Sequence, residues 1–281
     1  MIFYRLWLAC ISKTNKKMKK IVSLLLLVVL FSSCNEYQKA LKSEDVSVKY
    51  AMADTLYAQA KYSKALRLFE QIAPEFRGKP QAEKMFYMYA QSYYKTRQYY
   101  LAAYQFESFA SGYPKSAKIQ EASFLGAKSY AILSPVYSLD QADTYKAIEK
   151  LQAFIDRFPN SEYLTEANGL TKLLSDKIEK KVYENAKGYN TISDFKSALV
   201  AFDNFIIDYP GTKFKEDALF YKFDSAYQLG INSVPEKMKE RLNVAKASYQ
   251  SLIKFKADTK YKEKADEMYA RVEQELQKYT K

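Results

Sequence analysis

Histidine is absent from the 281-residue chain, and cysteine (two), tryptophan (one), glycine (seven) and proline (seven) are all scarce. Without histidine there is no Ser-His-Asp or Cys-His nucleophile, and most zinc sites fall away. So few glycines argue against glycine-rich phosphate loops, and against an all-β domain built on tight turns. Both cysteines and the tryptophan (Cys10, Cys34 and Trp7) lie at the N-terminal end. What the chain has in plenty is aromatic and basic: 26 tyrosines, 17 phenylalanines and a formal net charge of +12.

Position changes the meaning of that charge. Lys16, Lys17, Lys19 and Lys20 precede an apolar run from Ile21 to Phe31, and Ser32, Ser33 and Cys34 follow. A basic region, a short apolar stretch and small residues before a cut form a secretory signal. The run is about half the ~20 residues that a membrane span needs. Phe31-Ser32-Ser33-Cys34 resembles a bacterial lipobox, whose cysteine is acylated and becomes the new N-terminus. Residues 1–33 are therefore expected to leave as a lipoprotein signal peptide, with Met18 as an alternative start. Cys34 becomes the lipidation site that holds the protein to the bilayer through acyl chains. Residues 34–46 are expected as lipidated cysteine and polar tether. Six positive charges and no acid depart with the leader, leaving +6 on residues 34–281. The mature chain then has no thiol, and its mild basicity outside the cell membrane gives no reason to expect nucleic acid as a partner.

The body repeats itself. Ala65, Ala102, Ala147, Ala198 and Ala245 are each followed by large apolar residues four and seven positions on, one face of an α-helix. Tyr113-Pro114, Phe158-Pro159 and Tyr209-Pro210 stop three of these helices, and a further alanine recurs at Ala122, Ala167, Ala218 and Ala265. In the preceding helices, Ala53, Ala90 and Ala127 are spaced by 37 residues. Small residues that let paired helices approach, with large ones between neighbouring pairs, are what a stacked helical repeat requires. The pattern resembles the tetratricopeptide repeat. The expected fold is all-α, a tetratricopeptide-like solenoid of about five helical pairs and a C-terminal capping helix. N-terminal repeats are expected over 47–133, an insertion loop over 134–140, and C-terminal repeats with the cap over 141–281.

The repeat register sends one stripe of each first helix to a common face: Tyr50, Asp54 and Tyr57, then Tyr87, Gln91 and Tyr94, then Phe124, Lys128 and Ala131. Two uses are open for it. The rings are packing in an aromatic-rich protein, or they line a groove for an extended peptide, supplying flat apolar area and hydroxyls for exposed main chain. The acids lie beside lysines on polar helix faces, so no catalytic pair, metal set or cofactor site stands out, and a non-enzymatic protein is expected.

A lipobox, a short tether and five helical pairs with Tyr/Phe-Pro-(Lys/Asn/Gly)-(Ser/Thr) junctions at 113–116, 158–161 and 209–212 together resemble the BamD family. That resemblance implies a lipid-anchored scaffold of the outer-membrane β-barrel assembly machinery, on the periplasmic face of the outer membrane. It implies two partners: the periplasmic domains of a BamA-like barrel insertase, and the C-terminal segments of unfolded outer-membrane proteins. Rival readings are a Tol-Pal-associated cell-envelope coordinator, which would carry an N-terminal coiled coil, and a glycan-capturing surface lipoprotein, which would use tryptophan.

Overall fold

The computed structural model describes residues 36–279, and all regular secondary structure among them is helical. The expected signal peptide and lipidation site, residues 1–33 and Cys34, lie outside the described residues. A short helical stretch covers 36–42, followed by α1 (Val46–Ala58), α2 (Tyr62–Phe76), α3 (Ala82–Lys95), α4 (Tyr99–Gly112), α5 (Ile119–Leu133) and α6 (Ala142–Arg157). Next come α7 (Leu164–Thr191), α8 (Phe195–Asp208), α9 (Lys215–Ile231), α10 (Pro235–Phe255) and α11 (Lys262–Gln277). The residues divide into two compact units, one up to Ser129 and one from Tyr130.

In the first unit α1, α2, α3 and α4 pack each on the next, and α1 also touches α3. In the second, α6 through α11 do the same, with added contacts of α7 with α9 and of α9 with α11. Sequential packing plus contact between alternate helices is the signature of a solenoid of helical pairs. The fold is an all-α, tetratricopeptide-like solenoid. Ala53, Ala65, Ala90, Ala102, Ala122, Ala147, Ala167, Ala198, Ala218, Ala245 and Ala265 are all wholly buried. Phe69, Phe106, Phe109, Phe202 and Phe205 fill the space between helices. Two glycines carry the close approach further. A Cβ on Gly126 would stand 3.2 Å from that of Phe106, and one on Gly230 would stand 2.9 Å from Leu242 Cδ2.

Three of the turns within pairs share one geometry. Ala60, Arg97 and Ser193 have φ of 57°, 61° and 64°, the left-handed region. The amide of the following residue reaches back five positions in each case: Lys61 N to Leu56 O, Gln98 N to Tyr93 O and Asp194 N to Tyr189 O, all at 2.9 Å. Such a turn satisfies the last carbonyls of one helix before the chain reverses into the next.

The junctions between pairs share another. Ser116, Ser161, Thr212 and Thr259 are buried, and each hydroxyl accepts from the amide two residues on, at 3.0–3.4 Å. Ser116 Oγ also donates to Glu83 Oε1 (2.6 Å) in the first turn of α3, as Thr259 Oγ1 does to Glu216 Oε1 (2.7 Å) in the first turn of α9. An acid on one helix thus fastens the loop that opens the next pair.

Glu216 accepts as well from Lys256 Nζ and the Lys260 amide, both at 2.9 Å. The Thr259 and Lys256 hydrogen bonds hold its carboxyl down at about 2, against an ordinary 4.5. A depressed folded pKa gives stability that is present above about 4.5 and lost as pH falls toward 2. Glu216→Gln should therefore lower the urea midpoint at pH 7, and the difference from wild type should close between pH 4.5 and pH 2. A constant difference across that range would show that charge plays no part.

The segment expected as a polar tether is partly inside the fold. Tyr37 and Ala40, three residues apart on one face of the 36–42 helix, are 6% and 2% exposed and join the core of the first unit. Lys64 Nζ lies 5.3 Å from the Tyr37 ring centre.

Candidate peptide-binding face

The stripe begins on α1. Its N-terminus is capped by Asp45, whose Oδ1 accepts from the Ser47 amide at 2.8 Å, and Ala53 and Leu56 face the core. Tyr50, Asp54 and Tyr57 fall beside them and stay half-buried. Tyr50 packs on Phe76 with ring centres 4.9 Å apart, and Tyr57 meets Tyr62 edge-on at 5.5 Å. Asp54 Oδ1 is 2.8 Å from Lys84 Nζ on α3, which raises the lysine's pKa. Burial, with the Tyr62 and Glu121 charges adding to it, pushes the Tyr57 phenol up to about 12.

On α3, Gln91 Nε2 donates to Tyr87 Oη at 2.9 Å and approaches Glu121 Oε1 at 3.4 Å. The Tyr87 hydroxyl bonds Glu121 in turn; burial first, then that bond, drives its pKa well above the usual tyrosine value. Burial pushes the Glu121 carboxyl up, but the bonds from Tyr87 and Lys118 outweigh it and keep the group below its ordinary value. Lys118 Nζ sits 3.0 Å from Glu121 Oε2 and 5.5 Å from the Tyr87 ring centre. The structure thus brings Tyr50, Asp54, Tyr57, Tyr87 and Gln91 into one aromatic and polar face with Lys84, Lys118 and Glu121.

Three stripe positions differ from their sequence expectation. Phe124 is 1% exposed and belongs to the buried interior. It cannot touch a peptide, although Lys128 Nζ lies 5.6 Å from its ring centre. Gln91 is 6% exposed, so it positions Tyr87 instead of meeting a ligand directly. Tyr94 packs edge-on against Tyr99 at 5.6 Å and against Phe106 at 6.4 Å, a wedge between helices more than a free surface. Lys84, Lys118 and Glu121 were not expected. Glu121 lies one turn before Phe124 on the same helix, so the register carried a trace of it.

A family model described as "YfiO: Outer membrane lipoprotein" matches residues 42–242. The chain belongs to the YfiO family. Among curated relatives of this family member, the outer membrane protein assembly factor BamD of Haemophilus influenzae is 23% identical over 245 residues, covering 82% of this chain and 92% of that one. A BamD relative of Aquifex aeolicus is 25% identical over 281 aligned residues, covering 92% and 90%. A crystal structure of TPR-like repeats from Podosopora anserina covers 76% of this chain and 97% of that one, at 12% identity and a TM-score of 0.31. The YfiO family places the protein at the outer membrane as a lipoprotein. Among the described residues no helix is long and apolar enough to cross a membrane, and no group of three or more acids, cysteines or histidines could hold a metal ion.

Proposed function

We propose that this YfiO-family chain is a non-enzymatic assembly factor for outer-membrane β-barrel proteins, tethered by lipid at Cys34. In this reading the first unit receives the C-terminal segment of an unfolded barrel, and the second holds the periplasmic domains of a BamA-like insertase. The supporting observation for the first role is the face formed by Tyr50, Tyr57, Tyr87, Lys84 and Lys118. Its rings offer apolar area to an aromatic chain end, and its two cations lie beside them, where a terminal carboxylate can be seated. An unfolded barrel has strand edges it cannot pair in water, so brief capture of one end lowers the chance of aggregation. The second unit carries exposed apolar side chains on and before α8, with Ile192 at 71%, Val200 at 62% and Ile207 at 73% exposure. Patches of that kind are features of partner surfaces.

The test uses a fluorescent peptide copying the last strand of a barrel protein and ending in phenylalanine with a free carboxylate. It should bind the mature protein. Lys118→Glu should weaken it about tenfold, the scale of one charge-assisted hydrogen bond. Amidation of the peptide's C-terminus should lower wild-type affinity and erase most of the mutant's deficit. Exposed cations are the cleaner targets here, since truncating Tyr87 or Tyr94 would also disturb Phe109 or Phe106. Binding of a Pal-derived peptide or an oligosaccharide on this face, with none of the strand peptide, would favour the coordinator or glycan readings and overturn this one.

A further inference from the structure

The second unit holds a groove of different character, with a volume of about 580 Å³. Its floor is one side of α7, where Gly169, Lys172, Leu173, Asp176, Lys177 and Lys180 follow each other at the three- and four-residue steps of a single helical stripe. One wall is the loop between α5 and α6. Two lysines fix that loop to α7: Lys177 Nζ donates to Ser134 Oγ at 2.6 Å, and Lys181 Nζ to Leu139 O at 2.7 Å. The side chain of Gln141 ties the loop from within, donating to Val136 O (2.8 Å) and Leu139 O (2.9 Å). The opposite wall is Lys213 and Phe214, just after the Tyr209-Pro210 junction.

Two properties of this groove call for an occupant. Its apolar side chains are left to water, with Val136 64% and Leu173 59% exposed. Its charge is also one-sided. Lys172, Lys177, Lys180 and Lys213 line it against a single acid, Asp176, which Lys213 already engages at 2.7 Å. Lys172, Lys177 and Lys180 have no acidic partner among the described residues, and Lys180 rests over the Tyr137 ring at 4.2 Å. Burial lowers the pKa of Lys177, as expected of a cation held where water is scarce and no anion compensates.

We propose that the groove is a docking site for an extended acidic segment of a partner protein. One apolar side chain of the segment sits between Val136 and Leu173, and carboxylates to either side meet Lys172 and Lys180. The dimensions favour a peptide over a lipid head group. Lys172 and Lys180 are eight residues apart on one helix, about 12 Å along its axis, too far for one phosphate to bridge. Gly169 to Lys180 spans about 16 Å, the length of roughly five extended residues. The pinned loop means that the site is formed before the ligand arrives, so little ordering cost attends binding. The site shares no residue with the first unit's aromatic face and does not rest on the assembly-factor reading.

The probe is fluorescein-labelled Glu-Asp-Leu-Asp-Glu, titrated with the mature protein and read by anisotropy at 20 mM and 200 mM salt. Binding is expected, weaker at the higher salt, and lowered at least tenfold by Lys172→Glu/Lys180→Glu and severalfold by Leu173→Ser. The control is Lys237→Glu/Lys239→Glu, two exposed lysines on α10, which makes the same change in net charge elsewhere and should leave affinity intact. Helicity by circular dichroism should be unchanged in all three variants. Failure of the peptide to bind, or equal weakening by the α10 pair, would overturn the proposal. So would a Lys172/Lys180 variant that binds the peptide normally but no longer binds vesicles containing phosphatidylglycerol.

Discussion

Replacing Cys34 with alanine should move the protein from the membrane fraction to the soluble fraction, a near-complete change. In the proposed reading the lipobox-like Phe31-Ser32-Ser33-Cys34 makes this thiol the point of acylation, and the sequence from Asn35 to Lys281 holds no other cysteine. Burial of acyl methylenes is worth about 0.8 kcal/mol each, so two or three chains anchor a protein stably, where one holds it only marginally. What remains without them is weak. Lys39 and Lys42 near the N-terminal end of the fold could gain only about 1 kcal/mol each from acidic head groups. The variant should stay folded, because it changes one small side chain, and the core of the first unit is built on residues such as Tyr37, Ala40, Ala53 and Leu56. The check is fractionation with palmitate labelling in the same cells. Label retained by the alanine variant would refute the assignment of Cys34.

Phe106→Ala should be the most costly of the single core changes in the first unit, at about 3–5 kcal/mol. The ring is wholly buried, Tyr94 leans on it from α3, and α5 approaches it so closely that residue 126 is glycine. Three helices therefore meet at one side chain, and their stiff backbones cannot collapse into the space it leaves. A domain of this size has a total stability of order 5–15 kcal/mol, so the loss is a large share of it. Urea unfolding followed by circular dichroism measures it. Phe202, equally buried at the same register position on α8, provides the comparison in the second unit. A loss below about 1 kcal/mol for Phe106→Ala would mean that the helices close over the gap.

The two halves of the problem were unequally legible in the sequence. The alanine register was readable because close helix contact permits only small side chains, and the same contact recurs along the chain. It named Ala65, Ala102, Ala198 and the rest as core, and they are wholly buried. The aromatic face was readable only in part. Register fixes which side of a helix a residue occupies, but not how far that side is rotated toward its neighbour. Phe124 kept its stripe and still went into the core, while Tyr50 and Tyr57 stayed at the edge. Pairings such as Ser116 with Glu83, or Gln91 with Glu121, join residues 30 or more positions apart and depend on the angle between helices. Spacing within one helix carries no record of that angle. Tyr37 was missed for a simpler reason: a seven-residue helix is too short to show a period.

The three left-handed turns have a practical consequence. Their backbone is held by the five-residue reach of Lys61, Gln98 and Asp194, and alanine, arginine and serine serve equally at the bend. A non-glycine residue there costs roughly 1–2 kcal/mol, while glycine would forfeit about 0.5–1 kcal/mol through its freedom in the unfolded chain, so side-chain identity matters little. Arg97 and Ser193 are also exposed, and a chain begun at Asn35 contains no cysteine at all. Each turn can therefore take a single introduced thiol as a uniquely addressable attachment point. A fluorophore at 97 would report peptide capture on the aromatic face, and one at 193 would report events in the second unit, with neither binding surface altered.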